Sequence, residues 1–512
     1  MNFSAGLSPL TRLGNRLTRA NEAPRTSALA AAHELAFLNW RMPAFLVAAL
    51  YLILPNLPLL FSTHGLGASP HGYINLEYLL IGAVGVFLPR SVVFLLLCLE
   101  SLADFAYSIC YTYQFSLRDL LSSVRYVLVL PKDRELEAIA FLALILLVCA
   151  TLAFLQPPPQ KRLWTVGALL VLVAVLTPID VLGGQNPVWH KDMALIGYRV
   201  ARSPVLTLVW REVKASHTNV ESQNAEDTPM SSASSGVTSL LTGSPSGSGS
   251  PNVVLIVVES WGLLLDAHLA QALAAPYDDP RIVRKYKVSY GAVPFAGLTV
   301  PGEARELCHS TVGFGIIHVS AKQAEQCLPA FFHARGYQDL AIHGYVGQMF
   351  YRDTWYSKLG FDRTWFEPEL TKAGLPSCRG AFSGICDASI ANWIGSSLLS
   401  LDQAKPRFIY WVTLNSHLPV PGHPDLPDDG VCATQPALQN SAPLCSWFRL
   451  VRAVHQSVQQ AALGTTARPT VFILVGDHAP PFADSQLQAD FSSTQVPYAM
   501  LTPLDISSGS LK

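Results

Sequence analysis

The chain has 512 residues, half of them hydrophobic and 14% charged, with 35 basic against 36 acidic side chains and a net charge of −1. That length exceeds what one compact domain uses, and a near-zero charge without a basic stripe excludes a bulk nucleic-acid partner. The averages conceal a split: long apolar runs fill the chain to about residue 183, and after about residue 215 the balance is that of a soluble protein.

Residues 1–42 carry Arg12, Arg16, Arg19, Arg25 and Arg41 among few acids. The apolar run that follows comes too late and lasts too long for a cleaved signal peptide. The segment has the character of a cytoplasmic, positive-inside flank. Five apolar stretches follow, at about 43–62, 75–89, 91–113, 136–155 and 163–183. Several have the roughly 20 residues a helix needs to cross a bilayer, so a transmembrane domain is expected over 43–183. Lys161 and Arg162 mark a further inside loop. An odd number of spans from an inside N-terminus carries the remainder of the chain outside. Glu100 and Asp104 stand one turn apart in the third stretch, where charge is costly in lipid. They either pair with polar neighbours inside the bundle or line a headgroup path.

Residues 184–213 keep some amphipathic character, and 214–251 are rich in Ser, Gly, Asn and Thr. The latter bury too little apolar surface to fold and are expected to be a flexible linker. Segment 184–251 thus divides the membrane part from a soluble domain over 252–512. There, strands expected at 252–258, 339–343, 407–413 and 470–475 alternate with helices near 263–273, 300–308, 324–335, 387–400 and 446–463. Such alternation predicts an α/β fold with a doubly wound, mostly parallel sheet.

Two of these strands end in chemistry. Asn252–Gly262, NVVLIVVESWG, is a β-branched apolar run closed by Glu259. An unpaired carboxylate is too costly to face a core, and ligands of open α/β sheets sit at the carboxyl ends of strands. Thr470–Pro481, TVFILVGDHAPP, has the same form and ends in Asp477 and His478. Carboxylates and neutral imidazole suit Zn²⁺ or Mn²⁺. Between them lies GLTVPGEARELC, with Thr299 at or near a helix start set by Pro301. Free N–H groups there favour a phosphate, and a metal-bound Thr hydroxyl is a nucleophile. An ordinary N-cap is the other use of such a Thr. Glu303 and Arg305 on the same helix are expected on a solvated face or in a local ion pair. Trp261, Tyr351 and Trp355 are expected to serve packing rather than a pocket.

Of the nine cysteines, Cys98, Cys110 and Cys149 lie in the apolar runs, where a thiol acts as a small hydrophobe. Cys308, Cys327, Cys378, Cys386, Cys432 and Cys445 lie in the soluble part. An even number beyond a membrane fits disulfides in an oxidising compartment. Cys378 with Cys386 and Cys432 with Cys445 are close enough for loop staples, which leaves Cys308 with Cys327. Proximity is the only guide, so other connectivities stay open.

In order, VVES, GLT and GDH resemble the alkaline phosphatase/sulfatase superfamily. More narrowly, the chain resembles its membrane-anchored phosphotransferases: lipoteichoic acid synthases, phosphoglycerol transferases of periplasmic glucans and lipid A phosphoethanolamine transferases. The resemblance implies about five membrane spans, a linker and a sulfatase-like domain in the periplasm. CLPAFFHARGYQDLAIHG followed by FYRDTWYSKLGFDRTWF is similar to the lipoteichoic acid synthase segment that brings an arginine to the phosphate, here Arg352. TLNSHLPV resembles a segment whose histidine, here His417, contacts phosphate or headgroup. His343, at a strand end, is a further candidate for substrate contact, or a hydrogen-bonded structural histidine. Glu259, Thr299, Asp477 and His478 match the metal site and nucleophile. CRGAFSGIC and CATQPALQNSAPLC look like phosphoethanolamine transferase stretches that carry disulfides.

Formylglycine sulfatases need Cys or Ser, then x-Pro-x-Arg, whereas this chain has Thr299 and Glu303 at the two ends. A sulfate ester hydrolase is therefore not expected. No histidine follows His478, which implies a single-metal site like that of lipoteichoic acid synthases. The expectation is a transferase of the bacterial inner membrane that uses one divalent metal, Mn²⁺ or Zn²⁺. It moves the headgroup of phosphatidylglycerol, or secondly phosphatidylethanolamine, through phospho-Thr299 onto a cell-envelope glycan or glycolipid. A phosphodiesterase or phosphatase would use the same residues with water as acceptor, and a scaffold would require a broken metal site.

Overall fold

The computed structural model describes residues 42–59, 74–113, 132–182, 201–202, 205, 236–238, 250–295, 298–310, 313–399, 404–418, 420–422, 424–427, 429–464, 468–482 and 485–507. The basic flank 1–41 and most of 184–251 lie outside them.

The N-terminal helices are α1 (Ala44–Ile53), α2 (Glu77–Gly85), α3 (Arg90–Tyr113), α4 (Lys132–Phe154) and α5 (Arg162–Leu182). Each falls on one of the five apolar stretches. Among the described residues, the run Pro159–Pro178 is the one helix long and apolar enough to cross a membrane, and Ala44–Leu59 and Ile139–Phe154 are shorter apolar helices. Tyr78, Leu79, Val93, Leu97, Leu152 and Leu169 pack between the helices. Glu100 is buried and accepts from Asn75 Nδ2 at 2.7 Å, as expected of an acid paired inside the bundle.

The C-terminal part is built on a seven-stranded sheet: β1 (Asn252–Val258), β2 (Tyr286–Pro294), β3 (Gln338–His343), β4 (Arg363–Trp365), β5 (Arg407–Val412), β6 (Thr470–Gly476) and β7 (Gln495–Pro503). Their order is β2-β7-β6-β1-β5-β3-β4. Strands β6, β1, β5, β3 and β4 run parallel, while β7 runs antiparallel to both β6 and β2. The mostly parallel sheet is as expected.

Successive strand residues point to opposite faces, and here both faces are covered. Val254, Ile256 and Val258 join Trp411, Phe472 and Leu474 in one core beneath Trp447, Val451 and Val458. Val253, Leu255 and Val257 join Tyr410, Val412 and Ile473 in the other, with Val300, Leu307, Phe332 and Trp355. Burial on both sides explains why β1, β5 and β6 read as unbroken apolar runs.

Strands β2, β4 and β7 were not expected from the sequence. β2 is half-exposed with a central Gly291, β4 has three residues, and β7 holds Pro497 and Pro503. None has the apolar run that identified the other four. The helices covering the sheet include α6 (Thr299–Cys308), α7 (Leu328–His333), α8 (Arg352–Leu359), α9 (Asp387–Trp393) and α10 (Ala442–Leu463). The helix expected over 324–335 is in fact a short turn Ala321–Ala324 followed by α7, which restarts with Pro329 in its first turn. Within the stretch expected to be a flexible linker, Thr238 is buried and donates to Glu306 O at 2.7 Å. The disulfides are Cys308–Cys327, Cys378–Cys386 and Cys432–Cys445.

Candidate active site

The carboxyl ends of the parallel strands converge on one place. Glu259 follows β1, Asp477 and His478 follow β6, His343 ends β3, and Thr413–His417 follow β5. Glu259 is buried, and its backbone is fixed from both sides. Its N–H donates to Thr413 Oγ1 at 2.9 Å, and its carbonyl accepts from Ser416 Oγ at 2.6 Å. Ser260 then turns the chain through a left-handed φ of 55°. Such a conformation costs about 1–2 kcal/mol in a residue with a Cβ. It is held by Ser260 N–H donating to Asp477 Oδ1 at 2.8 Å and by Trp447 Nε1 donating to Ser260 O at 2.8 Å.

Thr299 is the first residue of α6, and Leu298 occupies the cap. The Thr299 hydroxyl therefore does not cap the helix. It donates to Glu259 Oε2 at 2.9 Å. The approach of α6 to β6 requires glycine: a Cβ on Gly302 would lie 2.9 Å from Asp477 Cβ, and one on Gly476 would lie 1.9 Å from Trp261 O.

Glu259, Asp477 and His478 offer ligand atoms within 4.8 Å of one another, and all three residues are buried. His478 Nε2 stands 3.4 Å from Glu259 Oε1 and 3.5 Å from Asp477 Oδ2. Its other ring nitrogen, Nδ1, donates to Ala479 O at 2.8 Å, which aims Nε2 at the two carboxylates. Asp477 Oδ1 accepts from Ser260 N–H and His478 N–H, while Oδ2 is buried without a hydrogen-bond partner. Burial and the charge of Glu259 push Asp477 up to about 8. Burial opposes charge on His478, but Asp477 and Glu259 outweigh it and raise the imidazole to about 9. Burial alone would raise Glu259 too; the neighbouring imidazoles of His417 and His478, the latter also by hydrogen bond, hold it well below the usual carboxylate range. Two buried carboxylates, one orphaned oxygen and an oriented imidazole fit a divalent cation, whose binding would release the His478 proton.

Arg352 sits deeper than a surface phosphate contact would. It starts α8 after two residues in left-handed conformation, Phe350 at φ 55° and Tyr351 at φ 56°. Its Nε and Nη2 donate to Glu303 Oε1 at 3.0 and 2.6 Å, and its Nη1 faces His343 Nε2 at 3.4 Å. His343 Nδ1 donates to Val412 O at 3.1 Å. Burial and the Arg352 charge drop His343 to about 3, so the ring is neutral and both nitrogens are engaged within the protein. His417 is half-buried, donates from Nδ1 to Leu418 O at 2.6 Å and meets Phe382 edge-on at 4.8 Å.

Glu303 and Arg305 do not lie on a solvated face; the other expectation, an ion pair, is what the structure has, Arg305 with its neighbour Glu306 at 2.6 Å and Glu303 with Arg352 at 2.6 Å. Glu303 is 0% exposed and also accepts from Tyr356 OH at 2.5 Å and Tyr410 OH at 3.1 Å. Arg305 is buried and donates to Gly476 O at 2.6 Å and Asp477 O at 3.3 Å, tying α6 to the end of β6. Helical periodicity alone does not show that α6 is buried all round. Trp261 and Trp355 pack in the cores as expected. Sequence reasoning missed Ser260, Thr413, Ser416 and Asp387. Asp387 accepts from Leu414 N–H at 3.0 Å and Asn415 N–H at 2.7 Å, bracing the His417 loop from α9. Ser416 was legible as the neighbour of His417. Asp387 carried no local signal.

Residues 296–509 match the family model described as Sulfatase. That segment contains Thr299, Arg352, His417, Asp477 and His478. No curated protein matches the chain. Similar solved structures include a protein of the alkaline phosphatase superfamily from Vibrio parahaemolyticus (17% identity, 54% of this chain, 66% of that one, TM-score 0.38). The Streptococcus pyogenes phosphoglycerol transferase GacH with sn-glycerol-1-phosphate is another (17% identity, 51% and 70%, TM-score 0.35). A third is the C-terminal periplasmic domain of Escherichia coli EptC with Zn (14% identity, 51% and 75%, TM-score 0.31). The chain spans just under two thirds of the Vibrio protein.

Proposed function

We propose that this chain is a membrane-anchored phosphotransferase that moves a phospholipid headgroup onto a cell-envelope glycan or glycolipid, with Thr299 as nucleophile. The observation that carries it is the 2.9 Å hydrogen bond from Thr299 Oγ1 to Glu259 Oε2, at a helix N-terminus beside Asp477 and His478. Glu259, Asp477 and His478, with Thr299 alongside, would hold one Mn²⁺ or Zn²⁺. Such an ion lowers the pKa of a hydroxyl and neutralises phosphate charge.

Glu259 orients the Thr299 hydroxyl and takes its hydrogen bond. Thr299 Oγ1 passes its proton to Glu259 and attacks the donor phosphorus, the bond from phosphorus to the diacylglycerol oxygen breaks, and that oxygen leaves, taking a proton from solvent. The headgroup phosphate then rests on Thr299 as a phosphodiester. An acceptor hydroxyl gives its proton to solvent and attacks the same phosphorus, the bond from phosphorus to Thr299 breaks, and Thr299 Oγ1 regains its proton from Glu259. The first N–H groups of α6, with Arg352 and His417, steady the phosphoryl oxygens.

Phosphatidylglycerol is the favoured donor, since no histidine follows His478. The disulfides Cys378–Cys386 and Cys432–Cys445 favour phosphatidylethanolamine as the second reading. Residues 1–42 form a cytoplasmic flank, 43–183 the transmembrane domain, 184–251 a membrane-proximal connection and 252–512 the periplasmic domain of an inner-membrane protein. The outward Phe45, Phe87, Leu102, Leu163 and Trp164 of the helical bundle support this arrangement, being exposed apolar groups that lipid would cover.

The test is peptide mass spectrometry of the full-length protein in mixed micelles with Mn²⁺ or Zn²⁺ and either lipid. A phosphoglycerol or phosphoethanolamine adduct on Thr299 identifies nucleophile and donor together. Headgroup release without an acceptor would indicate a phosphodiesterase instead. No adduct and no release with either lipid, from protein shown to hold metal, sinks the proposal.

A further inference from the structure

The sheet carries a second cluster of metal-type ligands at its opposite edge. Asp339 is the second residue of β3, whose last residue is His343 in the active site. Four residue steps along the strand separate the two, roughly 13 Å. The Asp339 side chain is 0% exposed, and neither of its carboxylate oxygens has a hydrogen-bond partner. An unpaired carboxylate in that position costs several kcal/mol unless something satisfies it.

What surrounds it is a ligand set. His333, the last residue of α7, places Nδ1 3.4 Å from Asp339 Oδ2 and 3.9 Å from Asp362 Oδ1. The ligand atoms of His333, Asp339 and Asp362 all lie within 4.8 Å of one another. Ligands about 2.0–2.1 Å from a tetrahedral zinc stand about 3.3 Å apart; the His333–Asp339 separation of 3.4 Å matches this, and the His333–Asp362 separation of 3.9 Å needs a small side-chain adjustment. The backbone is braced for the purpose: Asp339 N–H donates to Asp362 Oδ2 at 2.8 Å, and Asp362 N–H donates to Asp339 O at 2.8 Å. Lys405 is exposed and only tempers the charge of Asp339, while Asp362 and burial push that carboxyl up to about 8. The His333 side chain is 61% exposed and that of Asp362 37%, so an ion can enter from solvent.

We propose that His333, Asp339 and Asp362 form a second divalent-cation site, of zinc type, which ties the end of α7 to the starts of β3 and β4. It is separate from the cluster at Glu259, Asp477 and His478 and does not depend on the reaction assigned there. One nitrogen and two carboxylates leave a fourth position for water, and the role proposed for the ion is to hold the end of α7 against the starts of β3 and β4.

The experiment uses the full-length, disulfide-intact protein in detergent, carrying Asp477→Asn to weaken the first site. Bound zinc is measured by equilibrium dialysis against Zn²⁺, and the melting temperature is followed with and without Zn²⁺. This parent is expected to hold one zinc per chain that His333→Ala and Asp362→Asn each weaken at least about tenfold. The zinc-dependent rise in melting temperature should disappear in both variants. His333 is largely exposed, so its variant should fold as the parent does without zinc. Zinc binding that is unchanged in both variants, or a parent that binds none, overturns the proposal.

Discussion

At the scale of single residues, burial has turned ordinary-looking side chains into committed ones. Glu303 is the counterion that fixes Arg352 through two N–H donors, with Tyr356 and Tyr410 completing its shell. Glu303→Gln leaves the Arg352 charge buried and uncompensated, which is expected to cost about 3–5 kcal/mol. Tyr356→Phe removes one donor and should cost about 1 kcal/mol. Denaturant unfolding of the two variants measures the difference. His455 is a second case. It is fully buried against Trp261 and Tyr277, neither ring nitrogen has a hydrogen-bond partner, and burial drops it from 6.5 to about 3. Because the folded value lies below the unfolded one, the unfolded chain takes up the proton first as pH falls. Stability is full above about pH 6.5 and falls toward pH 3, by up to about 1.4 kcal/mol per pH unit for this group. His455→Phe should flatten that slope, as read from chemical denaturation between pH 6.5 and 4.5.

At the scale of elements, the site depends on how closely α6 and β6 approach. Arg305 bonds the strand-end carbonyls of Gly476 and Asp477, and Gly302 admits Asp477 against the helix. A methyl group at residue 476 would collide with the Trp261 carbonyl at 1.9 Å, against backbone that cannot swing away. Gly476→Ala is therefore expected to destabilise the domain by about 1–3 kcal/mol and to lower metal affinity. Thermal melting with and without Mn²⁺ reads both effects. Four of the five parallel strands, β1, β3, β5 and β6, were legible because burial on both faces demands unbroken apolar runs. β2, β4 and β7 were not, since partly exposed or very short strands accept Gly, Pro and polar residues. In the same way, the apolar stretches marked α1 to α5, while the pairing of Asn75 with Glu100 needed the packed helices.

At the scale of the whole molecule, the disulfides and the apolar bundle make separate demands. Cys308–Cys327 joins the end of α6 to the start of α7 across 19 residues. Replacing both cysteines by Ala should cost about 2–4 kcal/mol, measured as a lowered denaturation midpoint under oxidising conditions. Sequence by itself determined the α/β class and the four core strands, and it singled out Glu259, Thr299, Asp477 and His478 as candidates. Those features follow from composition, periodicity and motif, which are local. Only the tertiary structure decided that Thr299 donates to Glu259 rather than capping its helix, that Glu303 neutralises Arg352, and that His333, Asp339 and Asp362 meet at the far edge of the sheet. Each joins residues distant in the chain, so strand order and the burial it creates set them, and no local pattern encodes them.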